Sequence, residues 1–301
     1  QPASLPEGTS SLSVVASPVN GSVFSAGQVI QFDLIQRSGC YIVPESIYLR
    51  YRLTTTLPAT AGANNALRGT PVYSTISRLE VISGSSIIES ISQYGMLANM
   101  LVNTRMSYAQ KIGLASSLGY SSTATSNTYA FDFATNACNS LSFQTSTAGN
   151  AIGANVSLAA PLGCLLSNAS NLVPVGVMPQ LRIQLTLDTL ANAYRLDGTN
   201  PLTNFSWSQC ELVYDCILMS PLVDQAISAR GGGQLTIKSQ SYAIAGSTIG
   251  SGTSGVIEVV YNQRLASIKS LYAHICPTSS ANGFFDSVDI TNNNGEYSFV
   301  V

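Results

Sequence analysis

The sequence predicts an all-β protein built as a sandwich or jelly roll, and three observations support this fold class. Apolar and polar residues alternate strictly in several segments, as they do in strands that bury one face. Long connections rich in serine, threonine, asparagine and glycine separate these segments. The chain has 301 residues, whereas a single all-β domain reaches roughly 200–250, so more than one domain is expected.

Alternation is clearest in residues 46–56, which read SIYLRYRLTTT, with apolar or aromatic side chains at every second position. Residues 181–187 and residues 210–218 repeat this period of two. We therefore expect each of the three segments to be a strand with one buried and one outward face. Further strands are predicted from shorter runs at residues 29–35, 77–82, 156–162, 235–239, 256–261 and 267–275.

One segment departs from this pattern and predicts a helix over residues 89–103. Its apolar side chains recur at steps of three and four residues, which places them on one stripe of a helix. These residues are Ile91, Tyr94, Leu97 and Leu101. We expect the stripe to cover an end or a flank of the sandwich, with Tyr94 and Leu97 buried.

A second helix is predicted over residues 221–229, with Ser220 as its N-cap and Pro221 at its first position. Three consecutive glycines at 231–233 follow it and mark a boundary. We therefore expect residues 1–230 to form a complete first jelly roll. Residues 231–301 are expected to be a linker and the first strands of a second, incomplete jelly roll.

Composition excludes several function classes. Only 9% of residues are charged and 45% are hydrophobic, against roughly 25% charged in an ordinary soluble domain. This composition favours a surface that meets other protein over much of its area. The net charge of −2 and the scattered basic residues argue against nucleic-acid binding. No apolar run approaches the ~18 residues of a membrane span, and the first residues lack the pattern of a signal peptide.

No constellation of catalytic or metal-binding residues is visible. His274 is the only histidine, and none of the six cysteines forms a C-x-x-C pair, so neither a nucleophilic triad nor a zinc site is predicted. Cys210 and Cys216 share one strand face, and all six cysteines are expected to be reduced and unpaired. Glu211 and Asp215 share the other face, which we interpret as solvated. The sequence thus predicts no enzyme, no cofactor and no metal.

Residues 120–150 form a long segment of mostly small and polar residues with three alternating aromatic residues, Tyr129, Phe131 and Phe133. Loops of this length are uncommon in compact domains unless they serve a function. Two interpretations stay open for the aromatic residues. They form either a short strand that docks on a neighbouring subunit or a strand of the same sandwich.

Two basic residues, Arg264 and Lys269, lie in the segment NQRLASIKSLY, which is otherwise largely uncharged. A charge in such a strand region usually lies on the solvated face. In an assembly it can instead pair across an interface. Together with Tyr129, Phe131 and Phe133, these two residues are the candidate inter-subunit contacts.

Four segments in order carry a resemblance to a known family. They are CYIVPESIYLRYRL; ISRLEVISGSSIIESISQYGMLANMLVN; VMPQLRIQLTLDTLANAY followed by CELVYDCILMSPLVDQAI; and VVYNQRLASIKSLYAHI. Their order across about residues 40–275 resembles the double-jelly-roll major capsid proteins of polinton-like viruses, virophages and related DNA viruses. Two complete jelly rolls would need more residues than this chain has.

This resemblance implies a structural protein of the virion that is assembled inside the infected host cell. Its expected partners are two further copies in a homotrimeric, pseudo-hexagonal capsomer, neighbouring capsomers of an icosahedral shell, and minor capsid and penton proteins. The resemblance leaves open whether a membrane lies beneath the shell. A cell-surface adhesin or a carbohydrate-binding β-sandwich is the alternative from another class, and a jelly-roll glycosidase comes third.

Overall fold

A computed structural model describes residues 8–56, 65–120, 131–132, 137–138, 142–145, 151–152, 155–196, 201–230, 236–245 and 267–272. Strands dominate these ranges, and the predicted all-β sandwich is confirmed. The strands are β1 Ser10–Ala16, β2 Val23–Ser25, β3 Val29–Asp33, β4 Cys40–Ile42, β5 Tyr48–Thr56, β6 Asn65–Leu67, β7 Ile76–Ser83, β8 Ser86–Ser92, β9 Phe131–Asp132, β10 Ala137–Cys138, β11 Ser142–Thr145, β12 Ala151–Ile152, β13 Asn155–Pro161, β14 Val173–Pro174, β15 Leu181–Leu187, β16 Tyr194–Arg195 and β17 Asn204–Leu218. The helices are α1 Pro71–Ser74, α2 Tyr94–Arg105, α3 Tyr108–Gly113, α4 Ala115–Leu118, α5 Leu190–Ala193 and α6 Pro221–Arg230, with a 3-10 turn at Pro44–Ser46.

The larger sheet is organised around the long strand β17. One edge of β17 pairs with β5 and then β4, and the other edge pairs with β2 and then β1. Strand β13 lies beyond β5, and β14 lies beyond β4, so the sheet has seven strands. Every one of these pairings is antiparallel.

The second sheet has four antiparallel strands in the order β3-β15-β7-β8. A further small sheet, β12-β11-β6-β16, includes β11 from within the long segment of residues 120–150. Part of that segment therefore joins a sheet of its own chain. The inner faces of the two main sheets share one hydrophobic core, as expected for a sandwich.

Aromatic residues of the larger sheet hold its own strands and the segments around it in the core. Trp207 of β17 stacks on Tyr51 of β5 with ring centroids 3.5 Å apart, and both side chains are buried. The Tyr51 hydroxyl donates to the carbonyl of Val72 at 2.7 Å. The hydroxyl of Tyr214 accepts the backbone N–H of Ile35 at 2.8 Å, and Ile35 lies two residues after the end of β3. Buried hydroxyls with partners of this kind specify how α1 and the chain after β3 pack on the larger sheet.

The predicted strands within residues 29–218 are confirmed, with one informative difference at β17. It begins at Asn204, whereas the alternation predicted a strand only from residue 210. The ladder with β5 shifts between Ser208 and Glu211, and Gln209 has a positive φ of 50°. This bulge changes the phase of the alternation, so the two halves of one strand look unrelated in the sequence.

The predicted helix over residues 89–103 is wrong at its start. Glu89 lies in β8, which forms a hairpin with β7 through a turn in which Gly84 has a φ of +59°. The helix begins only at Tyr94, after Gln93, and runs to Arg105. Tyr94 and Leu97 are buried as predicted. The predicted helix over residues 221–229 is confirmed as α6.

The predicted strands after residue 230 are not found where the structure describes the chain. Residues 236–239 and 267–272 have no regular secondary structure, so the strands expected over 235–239 and 267–275 are wrong at those positions. The strand expected over residues 256–261 lies outside the described residues. The division of the chain at residue 230 stays a prediction.

Four cysteines of the described residues are buried and have a free thiol: Cys40, Cys164, Cys210 and Cys216. Burial raises the pKa of Cys164 to about 11 and that of Cys210 to about 12. Such thiols are protonated and unreactive at neutral pH. This agrees with the structural role expected for them.

Candidate assembly surfaces

The outer face of the seven-stranded sheet carries an apolar row that crosses four strands. Register places Pro161 of β13 beside Tyr48 of β5, Tyr48 beside Val213 of β17, and Val213 beside Val15 of β1. Tyr48 is 41% exposed and Val15 is 51% exposed. We call this outer face the front face. Its row has the composition of an interface centre, with a tyrosine between aliphatic neighbours.

Polar pairs border this row on both sides. Arg50 and Glu211 form an ion pair on the neighbouring row of the front face. On the other side, the hydroxyl of Ser13 donates to the Asp215 carboxylate, and the Asp215 N–H donates to the hydroxyl of Ser46 at 2.8 Å. The two acids that the sequence placed on one solvated face do lie there, and both have polar partners. An apolar centre with a polar rim is the usual anatomy of a protein interface.

The outer face of the four-stranded sheet, here called the back face, is organised differently. Its central row is a chain of hydrogen bonds: Gln31 donates to Gln184 at 3.0 Å, and Gln184 donates to Glu80 at 2.9 Å. Ser90 and Arg78 also donate to Glu80, at 3.1 and 3.2 Å. The side chains of this row therefore satisfy one another across four strands.

An ion pair extends the polar character of the back face. Arg182 of β15 reaches Asp33 of β3 through two contacts, at 2.6 and 3.2 Å. This fork geometry is the strongest form of a carboxylate pair at a surface. The central row of the back face is thus polar and internally hydrogen-bonded, although Ile87 and Ile88 at the end of β8 are exposed. The central row of the front face is apolar, with Tyr48 and Val15 exposed.

The edge formed by β1 and β2 adds to the exposed apolar area. Leu12, Val15, Val19 and Val23 all lie in this part of the chain and are exposed. Residues 8–32 contain no charged residue. Soluble proteins usually protect an edge strand with lysine, proline or inward charges to prevent pairing with another chain. Proline is present once here, as Pro18, and charge is absent.

Most of the predicted inter-subunit contacts cannot be placed. Tyr129, Phe133 and Arg264 lie outside the described residues. Phe131 lies in β9, which pairs with β10. Lys269 is exposed in the irregular stretch of residues 267–272. The described structure does not bring these residues together, and their role stays a prediction.

Helix α6 is held to the sandwich by the carboxylate of Asp224. Asp224 is buried and accepts the Gly39 N–H at 2.7 Å, the Ser38 hydroxyl at 2.8 Å and the Tyr41 hydroxyl at 2.6 Å. Burial by itself raises the pKa of Asp224, but these three donors outweigh it and leave the pKa lowered. Gly39 must be glycine, because a Cβ there would lie 2.3 Å from the carbonyl oxygen of Met219.

A small open cavity of about 260 Å³ lies beside the start of α2 and is lined in part by Arg78, Gln93, Met96 and Asp188. Burial raises the pKa of Asp188. The Asp188 carboxylate is already occupied, because it accepts the Thr189 N–H at 2.7 Å and the Asn192 amide at 3.0 Å. These bonds hold α5, so the acid has a structural explanation.

Within the described ranges, no group of three or more histidine, cysteine, aspartate or glutamate side chains could hold a metal ion. Among the same residues, no helix has the length and hydropathy needed to cross a membrane.

Comparison with known proteins found similarity among solved structures alone. No protein-family model matches the chain, and no curated protein matches it. The similar structures include the PBCV-1 virus capsid (12% identity, TM-score 0.45, covering 75% of this chain and 45% of that one) and the Faustovirus major capsid protein (10%, 0.47, 74% and 56%). The mavirus major capsid protein is a third (12%, 0.34, 68% and 46%). The chain spans about half the length of the structures it matches, and these are viral capsid proteins, as the sequence resemblance predicted.

Proposed function

We propose that this chain is a non-enzymatic structural subunit that builds a viral shell by binding copies of itself. The observation that carries the proposal is the front face, where an apolar row with Tyr48 at its centre lies uncovered between polar pairs. The sequence resemblance to double-jelly-roll capsid proteins supports the same function. In that family the subunits form trimeric, pseudo-hexagonal capsomers of an icosahedral shell.

Charge on the front face is compatible with a second copy as the partner. Strand β5 presents Arg50 and Arg52, whereas β17 presents Glu211 and Asp215. The face therefore offers both signs of charge around one apolar row. Complementary charge of this kind guides the register of an interface more than it adds affinity. The low charge of the whole chain fits large contact areas between copies, since obligate interfaces bury roughly 2,000 Å² or more.

The organisation of the chain and its loops belongs to the same proposal. Residues 1–230 would form the first jelly roll, and the chain after 230 would begin a second. Tyr129, Phe131 and Phe133 would contact a neighbouring subunit, and Arg264 and Lys269 would pair across an interface. Replacing Phe131 and Phe133 by serine should then abolish assembly while the monomer unfolds cooperatively as before. Loss of cooperative unfolding would assign these residues to the core instead.

Light scattering on purified protein tests self-association. The wild-type chain should scatter as a multiple of its 31.6 kDa mass, with the trimer as the basic unit. The double variant Tyr48→Ser, Val15→Ser should shift the protein to monomer at the same concentration, because it removes the apolar row. Ile88→Ser is the matched control, because Ile88 is also 41% exposed but lies on β8 in the other sheet. A monomeric wild type, or a double variant that associates like wild type, would contradict the proposal.

A further inference from the structure

Residues 236–245, here called the strap, lie against the sandwich without forming a strand. Three of its side chains, Ile237, Tyr242 and Ile244, are half-buried and pack against the hydrophobic core. The strap follows the three glycines at 231–233 that the sequence suggested as a linker. This stretch is therefore a docked part of the structure.

Hydrogen bonds join the strap to the loop between β13 and β14. The carbonyl of Lys238 accepts both the N–H and the hydroxyl of Ser170, at 2.9 and 3.2 Å. The carbonyl of Gln240 accepts the side-chain amide of Asn168 at 3.2 Å. The Ser239 hydroxyl donates to the carbonyl of Leu165. These contacts follow the strap over three consecutive residues and define its path.

Glu89 is the central group of this contact. Its carboxyl accepts the Leu165 N–H at one oxygen and the Ser241 hydroxyl at the other, both at 2.6 Å. Glu89 is 4% exposed, and its other titratable neighbours are the uncharged Tyr94 and Cys164. A buried carboxylate needs such donors, because an unpaired one is costly to desolvate. The strap thus supplies one of the two hydrogen-bond donors that offset the cost of burying Glu89.

A second anchor lies at the end of α2. Arg105, the last residue of the helix, donates to the hydroxyl of Tyr242 in the strap at 3.3 Å. It also donates to the hydroxyl of Tyr272 at 3.4 Å. One guanidinium group therefore contacts two separate downstream segments. Its fork of donors suits it to this role.

We propose that the strap is a latch, held by Glu89 and Arg105, that releases from the sandwich without unfolding it. Its described contacts are one backbone hydrogen bond, from the Ser170 N–H to the Lys238 carbonyl, several hydrogen bonds that involve side chains, and three half-buried side chains. The two sheets, in contrast, are held by continuous ladders. A segment with few buried contacts opens at lower free energy than the core. When the strap is docked, it holds the chain that follows it close to α2 and to the loop between β13 and β14. The inference stands independently of the proposed function, since it rests on contacts within one chain.

Limited trypsin digestion of the full chain tests the latch at Lys238. Cleavage after Lys238 requires the strap to detach from the sandwich, and the cleavage rate then follows the population of the open state. Ser241→Ala removes one hydrogen bond, typically worth ~1 kcal/mol, and should speed this cleavage about fivefold. Arg105→Gln should act in the same direction. Ser241→Thr keeps the hydroxyl and should restore the wild-type rate.

The control variant is Ser267→Ala, at an exposed serine of the irregular stretch 267–272, which should leave cleavage unchanged. The melting temperature of each variant is measured alongside. Faster cleavage with an unchanged melting temperature supports a latch that opens locally. Wild-type cleavage rates in Ser241→Ala, or a rate that rises only as the melting temperature falls, would overturn it.

Discussion

The front and back faces of the sandwich are built from the same alternation but differ in how their central rows are satisfied. On the back face, Gln31, Gln184, Glu80 and Ser90 bind one another across four strands. On the front face, the corresponding row consists of Pro161, Tyr48, Val213 and Val15. These largely apolar side chains cannot form a chain of hydrogen bonds with one another. A polar row can complete itself within one molecule, whereas an apolar row is satisfied only by being covered. This difference between the two central rows is the reason why the proposal places the contact between copies on the front face.

Two buried carboxyls also differ in how far hydrogen bonds compensate for their burial. Asp224 has three donors and Glu89 has two, and both are almost fully buried. The pKa of Asp224 is lowered in spite of burial, whereas burial raises the pKa of Glu89 above the effect of its two donors. The number of donors relative to the loss of solvent decides the direction.

The largest expected effect on stability comes from Asp224→Ala. The substitution leaves the Gly39 N–H and the Tyr41 hydroxyl without their acceptor in a buried place, whereas the exposed Ser38 hydroxyl can bond to water instead. Leaving buried donors unpaired costs ~1–3 kcal/mol each, with partial relaxation, so we expect a loss of about 4 kcal/mol. Urea unfolding followed by circular dichroism measures it. A loss below 1 kcal/mol would mean that α6 is not held by this carboxylate.

Two glutamates compare the faces directly. Glu80→Ala removes the acceptor for Gln184, Ser90 and Arg78 on the back face and should cost about 2–3 kcal/mol. Glu211→Ala breaks the Arg50 pair on the front face, and a pair this exposed is worth ~0–1 kcal/mol. Both values come from urea unfolding under one set of conditions. Equal losses in the free energy of unfolding would mean that the hydrogen bonds of the back face contribute no more than the exposed ion pair of the front face.

The pH dependence of stability should have opposite signs at the two carboxyls. Because its pKa is lowered on folding, Asp224 stabilises at neutral pH, and this contribution is lost as the pH falls through the ordinary aspartate range of about 4 and below. Because its pKa is raised, Glu89 favours the fold when protonated, and this contribution is lost as the pH rises above the ordinary value of about 4.3. Asp224→Asn should flatten the acid side of the stability profile.

Glu89→Gln should remove the decline toward neutral pH. Urea unfolding of the wild type and both variants between about pH 3 and 8 separates the two effects. If both variants changed the profile in the same direction, the donor-counting argument would be wrong.

The alternation of apolar and polar residues predicted much of the fold, because successive side chains of a strand point to opposite faces and only one face is buried. Leu49, Leu53 and Leu185 are buried where the pattern placed them. The first half of β17 was missed because the bulge at Gln209 changes the phase within a single strand. The helix start was misplaced because Ile91 fits both a helix stripe and a strand face, and only pairing with β7 separates these possibilities.

The functional features depended more on tertiary structure. Tyr48 alternates with the buried positions of its strand, but its neighbours Val213 and Val15 come from strands more than 30 residues away in sequence. Only the strand register brings the three residues together. Glu89 carried one usable signal, an acid on the buried side of SIIESIS beside Ile91. Nothing local in residues 236–245 predicts docking, because the partners of this segment lie in β8, in the loop before β14 and in α2.

Hydroxyl-radical footprinting of the assembled and the dissociated protein tests most directly whether the front face is the surface that copies of the chain cover. Tyr48 and Ile88 are equally exposed in the single chain, so they form an internal pair. On assembly, labelling of Tyr48 should fall at least several-fold while labelling of Ile88 stays closer to its value in the dissociated chain. Equal labelling of Tyr48 in both states, with assembly verified by light scattering, would contradict the account.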